Sequence, residues 1–152
     1  ITRALCVKND KGEIMAIYAI GAYYKDDVSQ QFINNSIAGP GWDESDAPEL
    51  LQYISSLKVG DIVYIKSCPP SSKDIHIKAI GFVADHKLLL TDEETKQLVS
   101  AGRNIEWVNT ERFTIPKPKE KNNVRLNTMY EEFHPKVQSI IMSKIISATK
   151  NT

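Results

Sequence analysis

The three histidines are the residues of this chain best suited to acid–base or metal chemistry, and their spacing predicts neither. His76, His86 and His134 lie far apart in the sequence and match no metal-ligand pattern. The GxSxG elbow, the phosphate-binding P-loop and the dinucleotide-binding glycine pattern are all missing from the sequence. We therefore expect no catalytic residue, no metal site and no cofactor.

Two groups of carboxylates have simpler explanations than catalysis. Glu131 and Glu132 are adjacent, and adjacent side chains on a helix point about 100° apart, so we interpret them as acids at a helix start. Asp43, Glu44 and Asp46 could cap the following helix or bind a metal ion, and we favour capping. Neither group predicts an active site.

Aromatic and polar side chains suited to ligand recognition are the stronger signal. The candidate ligand-binding residues are Trp42, Tyr23, Tyr24, Lys66 and Ser67. Aromatic side chains can stack on nucleic-acid bases, and each such contact is worth roughly 1 to 3 kcal/mol. Trp42 lies in a loop with two glycines and a proline, where it either plugs the end of the core or forms a stacking wall. Lys66 and Ser67 end a predicted strand and offer hydrogen-bonding groups there.

Basic side chains could contact phosphates from local patches. The candidate phosphate-binding residues are Lys73, Lys78, Lys117, Lys119, Lys121 and Arg125. The chain has 19 basic and 19 acidic side chains and a formal net charge of +0, so no global field attracts nucleic acid. The most basic stretch, residues 116–125, is either a solvated loop, which we favour, or a phosphate contact.

These candidates are positioned by a predicted sheet whose centre is residues 56–85. Gly60 and Asp61 belong to a turn, in which glycine supplies backbone freedom and the aspartate carboxylate caps the turn. Residues 62–65 and 75–83 are predicted strands, joined by a proline-bearing loop. Strict alternation in the second strand places Ile75, Ile77, Ala79, Gly81 and Val83 on one side. Gly81 inside that strand indicates a bulge or a sharp bend.

The remaining elements complete an α+β chain. Further strands are predicted at residues 3–7, 13–22, 104–108 and 112–115, with a hairpin turn at residues 9–12 and Trp107 in the core. Helices are predicted after Asp27, from Pro48, from a Thr91–Glu94 capping box to Gly102, after a second capping pattern at Thr128–Glu131, and from Pro135. The last helix carries an apolar stripe, which packs on the sheet or on a partner.

Chain length and composition point to one ordinary globular domain. The 152 residues are interpreted as a single domain, and 41% hydrophobic content contains no run long enough for a membrane span. The first residues lack the features of a secretory signal, so we expect a cytoplasmic protein without membrane association. Cys6 and Cys68 show no metal or disulfide pattern, which suits a reducing compartment.

The order of these elements resembles the EVE and YTH domains of the PUA-like superfamily. The resemblance is carried by Trp42-Asp43 in a loop, a helix, LKVGDIV at residues 57–63 and IKAIGFV at residues 77–83. It covers residues 17–85 well and the C-terminal part less closely. It implies a small mixed β-barrel with flanking helices, with the helix at residues 135–148 packing on the barrel, and it is most similar to EVE modules of prophages or modification-dependent restriction systems.

The resemblance implies a non-catalytic module that reads a modified nucleobase in DNA or RNA through an aromatic pocket. Trp42 would line this pocket together with Tyr24, and Lys66-Ser67 would lie beneath it. Implied partners are a modified nucleic acid and an ATPase or nuclease, and we expect a monomer or weak dimer. Glu44-Ser45-Asp46 replaces the basic, amide-rich segment of the family, and its acids would repel phosphate.

Two other function classes stay open. The related ASCH domains act on RNA or nucleosides, so one alternative is a hydrolase of RNA or of a modified nucleoside that uses Lys66 with Tyr64 or Glu131. The other alternative is an interaction protein that self-associates through the apolar stripe at residues 135–147.

Overall fold

The structure is a computed structural model, and it describes residues 15–23, 26–41, 48–69, 71–118 and 128–150. The elements in chain order are β1 (Ile17–Gly21), α1 (Ser29–Asn35), β2 (Ile37–Ala38), α2 (Pro48–Ser56), β3 (Ile62–Ser67), β4 (Asp74–Leu89), α3 (Asp92–Thr95), β5 (Gly102–Asn109), β6 (Phe113–Pro116), β7 (Met129–Glu131) and α4 (Pro135–Lys150). The strand predicted at residues 3–7 and the turn at residues 9–12 lie outside the described residues.

The strands form one strongly curled mixed sheet, in the order β2-β5-β4-β3-β1-β7. β1 and β3 are parallel, whereas β7 pairs with β1 in antiparallel fashion. The long strand β4 pairs with β3 on one edge, and β5 and β6 follow one another along its other edge. The predicted α+β class is confirmed: the curl gives the sheet the shape of a half-barrel, and the described residues contain four helices.

Each face of the sheet carries its own hydrophobic core. Phe32 of α1 and Ile54 of α2 pack on one face, against inward side chains of β1, β3, β4 and β5. Val137, Ile141 and Ile145 of α4 pack on the other face. The apolar stripe of the last helix therefore packs on the sheet of the same chain, which is one of the two predicted outcomes. Trp107, a predicted core residue, is half-buried at the edge of the α1 side, where its Nε1 donates to the Phe32 carbonyl at 3.0 Å.

The turn before β3 forms as its residues predict. Gly60 has a φ of 89°, which favours a residue without a Cβ. The Asp61 carboxylate is fully buried, and it accepts hydrogen bonds from the backbone N–H groups of Lys58, at 2.7 Å, and Ala16, at 2.9 Å. One side chain thus closes the turn and ties it to the entry of β1.

A bulge in β4 overturns the predicted division of its faces. Ile65 pairs with Ala79 and the next residue, Lys66, pairs with Ile77, so Lys78 is an extra residue without its own partner on β3. Ile77 therefore packs on the α4 side and Ala79 on the α1 side. The prediction that these two residues share a face is wrong, because one inserted residue reverses the alternation.

Of the two features predicted at Gly81, a bulge or a sharp bend, the structure shows the bulge. The register between β4 and β5 shifts between Ile80 and Gly81, and a Cβ at Gly81 would lie 2.6 Å from the Glu106 carbonyl oxygen. The absence of a side chain lets β5 approach this closely.

The two capping-box patterns had different outcomes. Thr91 and Glu94 form the predicted capping box, but α3 ends at Thr95 and not near Gly102. The second capping pattern is wrong, since Met129–Glu131 is a strand paired with β1. Pairing with a neighbouring strand outweighs a four-residue capping signal. The interpretation of Glu131 and Glu132 as acidic residues at a helix start is therefore wrong as well.

A buried arginine fixes α2 against the sheet. Arg103 is 2% exposed, and its guanidinium donates to the carbonyls of Ile54 and Leu57 at the end of α2 and to that of Asp85 in β4. These bonds satisfy carbonyls that a helix end leaves without partners. Within the described part of the chain, no helix combines the length and the apolar character needed to cross a lipid bilayer.

Candidate functional site

A groove of about 300 Å³ opens where β3, β4 and β6 lie side by side. Ser67 of β3 pairs with His76 of β4, and His76 pairs with Thr114 of β6. Neighbouring strands are about 4.8 Å apart, so two hydroxyls and an imidazole form a row roughly 10 Å long. This row offers hydrogen-bond donors and acceptors at one end of the sheet.

Two cations flank that row. Lys78 and Arg112 also line the groove, next to the backbone at Ile77 and Phe113. Arg112 is exposed, and among the described residues no carboxylate forms an ion pair with it. A guanidinium in this position is free to form paired hydrogen bonds with an oxyanion.

Lys78 is held by an acidic residue from the segment before α1. Its Nζ lies 2.8 Å from Oδ2 of Asp27, and Oδ1 of Asp27 accepts from the backbone N–H of Ser29 at 2.9 Å and from the Ser29 hydroxyl. Partial burial acts to raise the pKa of Asp27, but the bonds from Lys78 and Ser29 outweigh it and lower the pKa to about 2. The Asp27 carboxylate is therefore ionised at neutral pH.

The bulge explains why a lysine in mid-strand reaches this groove. In a bulge two consecutive residues oppose one, and both lean toward the same face of the sheet. Ala79 packs on the α1 side, and Lys78 reaches Asp27 on that side too. The inserted residue thus adds a cation to the groove face without displacing the apolar residues around it.

Lys66, predicted to share a ligand site with Ser67, lies on the opposite face. It is 7% exposed beneath α4, with its Nζ 5.5 Å from the centroid of the Tyr130 ring. Burial lowers the pKa of Lys66 to about 8, and nearby Cys68 acts in the opposite direction. Adjacent residues in a strand point to opposite faces, so Lys66 and Ser67 cannot line one pocket here.

The closed cluster around Lys66 contains two tyrosines and a carboxylate. Tyr64 donates from its hydroxyl to Oε1 of Glu132 at 2.8 Å, and both residues are buried. Burial, followed by the nearby Tyr130 and Glu132, raises the pKa of Tyr64 well above its ordinary value. Oε2 of Glu132 accepts from the His134 backbone N–H at 3.1 Å. These contacts are directed inward, and none of the residues lines the groove.

Glu131 points away from this cluster. Its Oε1 accepts from the Tyr18 hydroxyl at 3.4 Å, and burial raises its pKa. Tyr18 packs in the core on the α1 side, whereas Tyr64 packs on the α4 side. The structure therefore separates Glu131 from Lys66, whereas Tyr64, the other partner named for a hydrolase, lies on the same face as Lys66.

The other predicted site residues are divided among three places. Tyr23 is 71% exposed, and its backbone forms a bridge with Asp27, beside the groove. Lys73 and Lys117 are joined by a 2.9 Å backbone hydrogen bond at the far end of the β4–β6 pair. Trp42, Tyr24, Lys119, Lys121 and Arg125 lie outside the described residues, as do the acids Asp43, Glu44 and Asp46.

Sequence analysis identified Ser67 and Lys78 in the groove and missed His76, Arg112 and Thr114. The cross-strand register places positions 67, 76 and 114 next to one another. No spacing along the chain contains that information.

Among the described residues, no group of three or more His, Cys, Asp or Glu side chains is placed to hold a metal ion. No protein-family model matches the sequence, and the search of curated proteins gave no match. The resemblance to PUA-like domains consequently stays a prediction.

Proposed function

We propose that this protein is a non-catalytic nucleic-acid-binding module whose phosphate contacts lie in the groove between β3, β4 and β6. The observation that carries the proposal is the placement of Lys78, Arg112 and His76 around one recess with two hydroxyls. Cations combined with hydroxyl donors are the usual partners of phosphate oxygens. The chain's net charge of zero makes such a local concentration of donors more informative than it would be in a basic protein.

The shape of the site favours an unpaired nucleotide over a duplex. A duplex presents its base edges inside its own grooves, so proteins read it with projecting elements. A recess of about 300 Å³ is at the small end of ligand sites and suits a single splayed-out unit. The finer proposal, a PUA-like reader of a modified base, adds Trp42 and Tyr24 as stacking walls.

Fluorescence anisotropy with labelled oligonucleotides tests the proposal. Single-stranded DNA and RNA, and a duplex of the same sequence, are titrated at low salt and over a salt series. We expect the single strands to bind more tightly, with an affinity that falls as salt rises. Arg112→Gln should weaken binding about three- to tenfold and reduce the salt slope by about one.

Lys136→Gln is the matched control, because it removes one positive charge from an exposed position at the start of α4. It should leave affinity close to that of the wild type. Equal losses in both variants, or no binding of any oligonucleotide at low salt, would contradict the proposal. Oligonucleotides with and without base modifications, compared in Trp42→Ala, test the stacking wall separately.

A further inference from the structure

Lys78, one of the two cationic side chains that line the groove, forms an ion pair with Asp27. The distance of 2.8 Å is that of a charge-assisted hydrogen bond, and Asp27 approaches from a different element than the groove strands. The Lys78 side chain is 12% exposed, and that of Asp27 is 41% exposed. The carboxylate therefore stands at the solvent side of the pair, where an incoming anion can meet it.

Asp27 is also anchored independently of Lys78. Its Oδ1 accepts from Ser29, the first residue of α1, while Oδ2 faces Lys78. The carboxylate is thus fixed in position by one oxygen and contacts the cation with the other. A ligand phosphate can replace Oδ2 at Lys78 without removing the bonds that start the helix.

We infer that Asp27 sets how strongly the groove prefers anionic ligands: its carboxylate competes with a ligand phosphate for Lys78 and so lowers the affinity for anions. The inference rests on the proposed function and concerns the same site. The two cations therefore differ: Arg112 can bind a phosphate directly, whereas Lys78 must first exchange the Asp27 carboxylate for the phosphate. A neutral ligand leaves the ion pair in place, so Asp27 lowers the affinity for anions without changing the affinity for neutral ligands.

Asp27→Asn tests this inference. Asparagine keeps an oxygen for the Ser29 N–H, and both residue types form this local side-chain-to-backbone turn, but asparagine carries no charge. A partly exposed ion pair is worth about 0.2 to 1 kcal/mol, so the variant should bind a single-stranded phosphodiester probe about two- to fivefold more tightly at low salt. A probe of the same sequence with an uncharged peptide backbone should bind both proteins equally.

Two control variants separate competition from a general change in charge. Asp26→Asn alters net charge by the same amount at an exposed neighbouring position and should gain clearly less than Asp27→Asn. In a Lys78→Gln background the gain from Asp27→Asn should disappear, which a double-mutant cycle measures directly. Asp27→Ser, which keeps a capping oxygen, replaces the asparagine variant if the latter has a lowered melting temperature.

The outcomes separate this inference from the proposed function. If neither wild type nor Asp27→Asn binds any oligonucleotide, both are overturned. A second outcome is that the wild type binds, Arg112→Gln weakens binding, and Asp27→Asn and Asp26→Asn have the same affinity. The proposed groove is then supported, and competition by Asp27 is overturned. An equal gain for the uncharged probe would also overturn it.

Discussion

Lys66 and Ser67 are neighbours in the chain, and they belong to two regions with opposite character. On the α4 side of the sheet, Lys66, Tyr64 and Glu132 form a buried set whose contacts are directed to one another and to the backbone. On the α1 side, Ser67 and His76 line an open groove. The comparison shows that neighbouring polar residues at a strand end can belong to two different kinds of environment. In the first region the polar side chains bond within the protein, and in the second they stay accessible to a ligand.

The largest expected effect is on the closed side. Glu132→Ala removes the acceptor of the buried Tyr64 hydroxyl and of the partly buried His134 N–H. The free energy of unfolding should fall by about 3 kcal/mol, as measured by urea denaturation. Glu106→Ala, at an exposed strand position, is the control and should cost less than about 1 kcal/mol. Similar losses in both variants would mean that Glu132 is not part of a closed set.

The next effect is a pH dependence that comes from Lys66. Its pKa is about 8 in the folded protein and 10.5 ordinarily, so between these values the unfolded chain holds a proton that the folded protein has released. Stability therefore rises with pH in this window, by about 2 kcal/mol between pH 7 and pH 10. Burial raises the pKa values of Tyr18 and Tyr64 above 10.0, so the unfolded chain releases their protons first, and this offsets part of the rise in stability near pH 10.

Lys66→Met supplies the reference for that measurement. The rise should be visible as the difference between wild type and variant in unfolding free energy at each pH. Parallel curves for the two proteins would show that Lys66 is not desolvated, and the contrast between the two faces would weaken.

Tyr64→Phe should have a smaller effect on the same cluster. It removes one buried hydroxyl bonded to Glu132 at 2.8 Å and keeps the ring in the core. We expect a loss of about 1 kcal/mol in unfolding free energy. Tyr53→Phe, at a residue 39% exposed, should change stability by less than about 0.5 kcal/mol. A reversed order of the two losses would contradict the assignment.

The smallest effect on stability is expected in the groove. His76→Val keeps a strand-forming residue at an exposed position, so the melting temperature should stay nearly unchanged. Affinity for a single-stranded oligonucleotide should fall about two- to threefold, because one hydrogen-bonding group is lost. Loss of stability without loss of affinity would identify His76 as a structural residue.

Sequence reasoning worked where the structure is determined locally. The Gly60–Asp61 turn and the Thr91–Glu94 capping box depend on residues within four positions of one another, and both are present. The apolar spacing of α4 likewise identified the residues that it buries. Each of these features has one strong local cause.

The failures have a common physical source, which is pairing between distant segments. The strand at Met129–Glu131 exists because it completes the edge of β1, and its own residues indicated a helix start. Lys66 and Ser67 were grouped as one polar strand end, although alternation divides them between faces. The groove unites β3, β4 and β6, and its lining could be known only once their register was known.

The bulge in β4 has a consequence for changes of chain length. Because Lys78 is the surplus residue, its deletion would restore regular pairing and leave Ile77 and Ala79 on the faces they already occupy. Loss of Ala79 would also relieve the bulge, but it would put the charged Lys78 side chain at a buried position of the α1-side core. The lysine is thus a one-residue insertion that the architecture can dispense with, and the protein could gain or lose this cation in a single codon step without rebuilding either core.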